Sequence, residues 1–406
     1  SGGRDKPSDS LQLMGGKVDE LGPRVLGVDD GRGKYLMVRV PTDHEYGQWK
    51  VALESQTADN VKATYVRPAP ASMPNPKKVY FPSVVAVNKE SGHIVVGPDA
   101  FKPEVRHTSD VVYPIQPTNK VDKFNIDMSV MTAILKKVFT DLKVDPTHYM
   151  VMLSTPQPLG QKLQERLMRI LVDELHMRGA CMVQQALLAL YSYNAMSGII
   201  VDIGERLDIM PIYEGVLIEG GVSRQAYGGA KIQDSLHIAL LENRYRFNTP
   251  VERPLACYVA EDYKAAKTQC DKDPASSVDL DYACFKSPEG FFNTEMWEMD
   301  YKNLQKQIFH AIQQCPMDSR KHMYRSIYLS GGVTMVPGFA DRLQQELVKL
   351  APPSVVVEVH ASPQRYHSAY IGACSVASMD IFEQSCVSAE EWKKLGVKAC
   401  SKWGTS

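Results

Sequence analysis

Apolar positions fall at Met128, Met131, Ile134, Leu135 and Val138, the i, i+3, i+4, i+7 spacing of an amphipathic helix over 127–142. A second such stripe, Leu163, Leu167, Ile170, Leu171 and Leu175, predicts a helix over 159–177. Residues 180–191 are apolar almost throughout and predict a buried helix carrying Gln184 and Gln185. Further helices are expected at 230–241, 251–265, 301–314 and 336–350, and 371–378 is a small-residue apolar segment. Shorter apolar runs at 24–28, 35–40, 79–87, 93–96, 149–153, 198–201, 207–213, 326–329 and 355–359 predict strands. Strand–glycine turn–strand units recur at 25–40 and 199–213, the outline of an internal duplication. Ser388 and Glu391 have the spacing of a capping box that opens a last short helix. Residues 1–21 have no sustained period and predict an irregular arm. The proline-rich stretch 41–78 predicts a surface insert, and 269–299 an acidic, loop-rich segment.

The 406 residues suffice for two or three domains, and 44% hydrophobic with 23% charged residues is a globular balance. Forty-six basic against 47 acidic residues leave a net charge of -1, so no global field favours nucleic acid or an anionic membrane. No apolar stretch reaches the ~20 residues that cross a bilayer, and the N-terminal residues read as neither a signal peptide nor a transit helix. Eight cysteines without a CxxC pair predict reduced, mostly buried thiols and an intracellular protein.

Asp29, Gly31 and Gly33 lie between two predicted strands, as do Asp202 and Gly204. Glycine turns bring amides close to phosphate oxygens, and an adjacent aspartate can hold a hydrated Mg²⁺. Structural turns use the same residues. The run Ser330-Gly331-Gly332-Val333-Thr334 passes from a strand toward a helix start, which suits a nucleotide or tight helix–sheet packing. A glutamine at 184 or 185 facing a cleft could position water; it could equally bond to backbone. The histidines form no HExxH, and neither a serine triad elbow nor a Walker pattern is present. His93, His107 and His148 read as surface residues, and Arg320, Lys321, His322 and Arg325 as a solvated face.

The segment Ser330-Gly331-Gly332-Val333-Thr334-Met335-Val336-Pro337-Gly338-Phe339-Ala340-Asp341-Arg342 resembles the signature of actin and actin-related proteins. Pro211-Ile212-Tyr213-Glu214-Gly215, Tyr80-Phe81-Pro82-Ser83 and Tyr113-Pro114-Ile115 resemble further segments of that family. Gln185-Ala186-Leu187-Leu188-Ala189-Leu190-Tyr191 resembles its hinge helix. The likeness runs in order from about residue 79 to 396. It implies an α/β, actin-like bilobed fold: two ribonuclease H-like domains, each around a five-stranded sheet, with smaller outer subdomains. ATP or ADP with Mg²⁺ would lie in the cleft between them. The lobes would comprise 22–192, with the insert 41–78 and a C-terminal segment from about 378–406 returning to it, and 193–377. The resemblance implies that Gln185 orients hydrolytic water. It places Asp202 and Gly204 in the second phosphate hairpin and Asp29, Gly31 and Gly33 in the first. Asp29 and Asp202 would meet the metal through water. Gly229, Ser330, Gly331 and Gly332 would contact the nucleotide, and Arg253 stands where the family has an adenine-lining lysine.

The sequence departs from that pattern in the pocket. Arg32 replaces a serine of the first hairpin, and the second hairpin, Asp202-Ile203-Gly204-Glu205-Arg206, is one residue short. Asp208 stands for the cleft histidine and Pro254 for an acidic residue near the ribose. The 87–96 connection is too short for the subunit-grasping loop. Glu295, Glu298 and Asp300 replace a hydrophobic plug, which opposes an apolar filament contact. Family members work in chromatin remodelling, the dynein adaptor, filament branching and flagella. The expectation is a non-polymerising structural subunit of a large cytoskeletal or axonemal assembly, in the cytoplasm or a cilium, with a degenerate ATP pocket. Its partners would be proteins, not nucleic acid or membrane, and Phe291, Phe292, the arm and the insert would be contact surfaces. An ATP-hydrolysing conformational switch, a nuclear chromatin-remodelling subunit and a chaperone with an empty cleft are the alternatives.

Overall fold

A computed structural model describes residues 17–22, 25–29, 35–39, 81–117, 124–156, 159–242, 257–272, 278–379 and 381–403, the first three as strand backbone. The insert 41–78 and the first 16 residues of the arm lie outside the described residues.

The strands are β1 Lys17–Gly22, β2 Val25–Asp29, β3 Tyr35–Arg39, β4 Val85–Asn88, β5 Ile94–Val96, β6 Ser109–Val112, β7 Ile115–Pro117, β8 Phe124–Ile126 and β9 Met150–Thr155. They continue with β10 Gly179–Gln184, β11 Gly198–Ile203, β12 Leu207–Tyr213, β13 Val216–Leu217, β14 Ser223–Gln225, β15 Ile327–Ser330, β16 Val359–His360 and β17 Val387–Ser388. The α-helices of seven or more residues are α1 Met128–Leu142, α2 Gln161–Met168, α3 Gln185–Ser192, α4 Gly229–Glu242 and α5 Tyr263–Lys272. After them come α6 Val278–Glu289, α7 Leu304–Gln314, α8 Phe339–Leu350, α9 Ser368–Ala377 and α10 Ala389–Leu395. Among the described residues no helix is long and apolar enough to cross a membrane.

The largest sheet is mixed and six-stranded, ordered β13-β12-β11-β15-β16 with β14 also on β12. The β11–β12 hairpin is antiparallel, and β15 and β16 add in parallel. The β9 and β10 strands run parallel, and β17 returns near the C-terminus to pair antiparallel with β10. The β2–β3 hairpin is antiparallel like β11–β12, which agrees with the duplicated strand–turn–strand outline. The resemblance implied two five-stranded sheets. The described pairings instead give this six-stranded sheet, with the strands of the first half in separate sheets β1-β2-β3 and β17-β10-β9.

Several local expectations change. Residues 17–21 belong to β1, paired with β2, because their backbone groups complete a ladder there. Residues 180–184 form a strand, and the helix starts at Gln185; a continuous apolar run does not separate the two states, and the pairing of β10 with β9 decides it. The 159–177 helix passes into a π-helical turn at Arg169–Glu174. Of the helix expected over 251–265, residues 251–256 lie outside the described residues and the described helix is Tyr263–Lys272; within 355–359 only Val359 joins a strand. Of the strand expected over 79–87, residues 79 and 80 lie outside the described residues and the strand begins at Val85, after Pro82; the 88–93 turn is closed by the Asn88 side chain accepting from the Glu90 and Ser91 amides. The capping box forms as read: Ser388 Oγ accepts from the Glu391 amide, and the Glu391 carboxylate from the Ser388 amide.

The 269–299 stretch contains α6 and an aromatic nucleus. Phe291 and Phe292, expected as contact surface, are buried at 0% and 3% exposure among Tyr227, Trp297 and Phe339. Their apolar area gains more from the core than from a polar surface. Glu295, Glu298 and Asp300 are exposed around them. Arg342 of α8 closes this nucleus, paired with Glu289 at 3.0 Å and lying over the Phe292 ring.

Candidate functional site

Strand β11 alternates. Ile199, Val201 and Ile203 enter the core shared with α4, α7 and α8, so Ile200 and Asp202 face the other way, toward α3. On β12 the same period turns Asp208 to the side of Met210 and Ile212, which pack on Ala186, Ala189 and Leu190 of α3. Register aligns what alternation selects. Ser330 of β15 lies beside Asp202, Asp208 lies opposite Asp202, and Arg224 of β14 lies opposite Asp208. A polar row thus crosses four strands under the first turn of α3.

Gln185 opens α3 directly above this row, and its Nε2 donates to Asp202 Oδ2 at 2.5 Å. The Ser330 hydroxyl shares a 2.7 Å hydrogen bond with Ser368, the first residue of α9. Asp202 Oδ1 is buried and makes no hydrogen bond within the protein. Arg224 Nε stands 3.7 Å from Asp208 Oδ1, and Arg206, in the hairpin turn, is buried beside them. Burial pushes the Asp202 carboxyl upward against the hydrogen bonds from Gln185 and Ser330. Burial, and then the like charge of Asp202, raise Asp208 to about 7, against the pull of Arg224 and Arg206. The row therefore sets two buried carboxyls of raised proton affinity between a glutamine amide and two guanidiniums.

The glycines named from sequence converge on the same corner. Gly331 adopts φ 89°, and a Cβ there would overlap the carbonyl oxygen of Ile203, so the strand-to-helix turn fits only a glycine. Its amide donates to the Arg365 carbonyl at 3.2 Å, and Gly332 lies against the Tyr366 ring. The Gly229 amide donates to the Gly204 carbonyl at 2.8 Å, and the Gly204 amide to the Arg206 carbonyl at 3.1 Å. Gln185, Asp202, Gly204, Gly229, Ser330, Gly331 and Gly332 therefore stand together. Asp29 closes β2 opposite Tyr35, while Gly31, Arg32, Gly33, Arg253 and Pro254 lie outside the described residues.

A magnesium triphosphate needs open amide donors for phosphate and anionic oxygens facing the hydrated cation. This corner offers Asp202 Oδ1, and the Arg206 and Arg224 charges would attract phosphate, but the Gly204, Gly229 and Gly331 amides bond internally. As arranged, those three amides are closed to a phosphate, so this part of the corner does not fit that group. Among the described residues no cluster of three or more His, Cys, Asp or Glu is placed to hold a metal ion either.

Sequence reasoning missed Arg224, Ser368 and Tyr193. Arg224 sits in a three-residue polar strand with no apolar alternation to mark it. Tyr193 ends the α3 turn and donates its hydroxyl to the Leu329 carbonyl at 2.7 Å while accepting from the Ser362 amide at 3.1 Å. Only the fold brings these segments together.

The family model described as Actin matches residues 69–254 and 273–404, which include every member of the polar row. The β2–β3 hairpin with Asp29 precedes the matched residues. Centractin of Schizosaccharomyces pombe (strain 972) is 27% identical over 285 residues, covering 65% of this chain and 75% of the relative. With the matched segments spanning most of its length and an α/β architecture of mixed sheets and flanking helices, this chain belongs to the actin family.

Proposed function

We propose that this chain is a non-polymerising structural subunit of a large cytoskeletal assembly, with a degenerate nucleotide pocket. The observation that carries this reading is the closed polar row. The Gln185 amide, which would have to orient water, is engaged with Asp202, and Arg224 and Arg206 balance the carboxyls. A glutamine held this way contributes shape, and the Gly204, Gly229 and Gly331 amides are satisfied without a ligand. Likeness to Centractin, a divergent relative, agrees with a cytoskeletal setting. The return of β17 to β10 supports a first lobe of 22–192 completed by 378–406, and a second lobe of 193–377. The exposed Glu295, Glu298 and Asp300 and the tight 88–93 turn give a self-association contact little apolar surface. The axoneme of a cilium or flagellum is the setting we favour over the nucleus.

Phosphate release from purified protein with Mg²⁺ and ATP tests the pocket. The expected rate equals the protein-free background and is unchanged in Gln185→Ala. Mg²⁺-dependent turnover abolished in Gln185→Ala would overturn the reading in favour of the switch. For compartment, a tagged chain should remain with the detergent-resistant cytoskeleton; recovery with chromatin supports the nuclear alternative instead.

A further inference from the structure

Two buried cysteines face each other where the C-terminal segment joins the β9–β10 sheet. Strand β17 pairs Val387 with Ala180 and Ser388 with Gly179, and one further step along this register sets Cys386 opposite Cys181. The hydrogen-bond phase is known as well. The Ala389 amide donates to the Arg178 carbonyl at 2.8 Å, so 178/389 and 180/387 are hydrogen-bonded pairs and 181/386 is a non-hydrogen-bonded pair. The Cys386 amide agrees, since it donates back to the Phe382 and Glu383 carbonyls and not across the sheet. Cα atoms at such sites lie about 4.5 Å apart, inside the range that a disulfide spans. Both residues are 1% exposed, and each thiol is the largest influence on the other's proton affinity.

We propose that Cys181 and Cys386 form a two-electron oxidation site, a dithiol that a peroxide converts to a disulfide fastening the C-terminal segment to β10. The Cys386 sulfur is the first nucleophile. The neighbouring Cys181 thiol holds it below the ordinary value against burial and the Glu383 carboxylate, and the Lys402 ammonium, which donates to the Cys386 carbonyl at 3.2 Å, favours the thiolate as well. Thiolate attack on the peroxide breaks the O–O bond and gives a sulfenic acid at Cys386 and hydroxide, which takes up the proton. The Cys181 sulfur then attacks the sulfenic sulfur, the S–O bond breaks, and water leaves with the Cys181 proton. Two thiols and one hydrogen peroxide become one disulfide and two waters. Access comes from the edge: β17 has only two residues and one neighbour, so opening its end uncovers the pair at low cost. The other close thiols, Cys257 and Cys284, are both buried, without a shared strand register. They serve as the internal control.

The test uses the full chain, reduced and then treated with one equivalent of hydrogen peroxide. The intact mass should fall by about 2 Da, the loss of two hydrogens. Alkylation followed by non-reducing peptide mapping should join the peptides of Cys181 and Cys386 and leave the other six cysteines alkylated. The thermal midpoint should rise by several degrees, because the bond closes a loop of roughly 200 residues, and dithiothreitol should reverse the rise. In Cys181→Ser and Cys386→Ser the mass loss and the rise should both vanish. Full alkylation of Cys181 and Cys386 in the oxidised wild-type chain, or a Cys257–Cys284 bridge in their place, would overturn the assignment without reference to either variant.

Discussion

Asp208 is the residue whose protonation most directly reports on the closed row. Its ion pair with Arg224 would lower its proton affinity, yet burial and the facing Asp202 win and hold the proton to about 7. The unfolded chain releases that proton near the ordinary 3.8. Because the folded state binds it more tightly, the contribution is complete below about pH 4 and is lost as pH rises through 7. The gap between 3.8 and about 7 is worth roughly 4 kcal/mol at most. Urea midpoints of the wild type should therefore fall between pH 5 and pH 8, and Asp208→Asn, which keeps the shape without the charge, should flatten that fall. Parallel slopes in the two proteins would remove Asp208 from the explanation. Ser388 offers a simpler case: Ser388→Ala leaves the Glu391 amide uncapped and should cost about 1 kcal/mol in the same measurement.

At the level of elements, α3 and α9 meet through Gly372, where a Cβ would overlap the Leu188 carbonyl oxygen. This contact sets the height of α3 above the sheet, and so brings Gln185 to Asp202 and Ser368 to Ser330. Gly372→Ala must push the helices apart. We expect a loss of about 1–3 kcal/mol in a denaturant melt, together with greater exchange of the α3 and α9 amides. An unchanged melt would mean that the two helices do not seat each other. Periodicity made α1, α7 and α8 legible, and the strand–turn–strand of 199–213 could be read because its apolar runs are short and bounded by glycine. It failed at 180–184 because Ala180, Cys181 and Met182 are buried as fully as helix residues would be. Pairing with β9, some 30 residues away, decides the state. The site was half legible: glycines and Asp202 announce themselves, but Arg224 and Tyr193 act through partners that only the register of distant strands supplies.

On the scale of the molecule, the aromatic nucleus around Phe291 is enclosed while the acidic side chains beside it face solvent. Sedimentation in magnesium and potassium salts should accordingly give a single monomer boundary at micromolar concentration. Filaments in the pellet would count against the fixed-subunit reading. The join between β10 and β17 has a further consequence, one for the chain while it is being made. Strand β10 leaves the ribosome long before β17, with roughly 200 residues still to be translated, a delay of about 10 to 40 s at the usual pace. Throughout that interval one edge of a buried strand stands bare, open to pairing with any neighbouring nascent chain. The edge of this sheet is thus completed only when the last residues arrive.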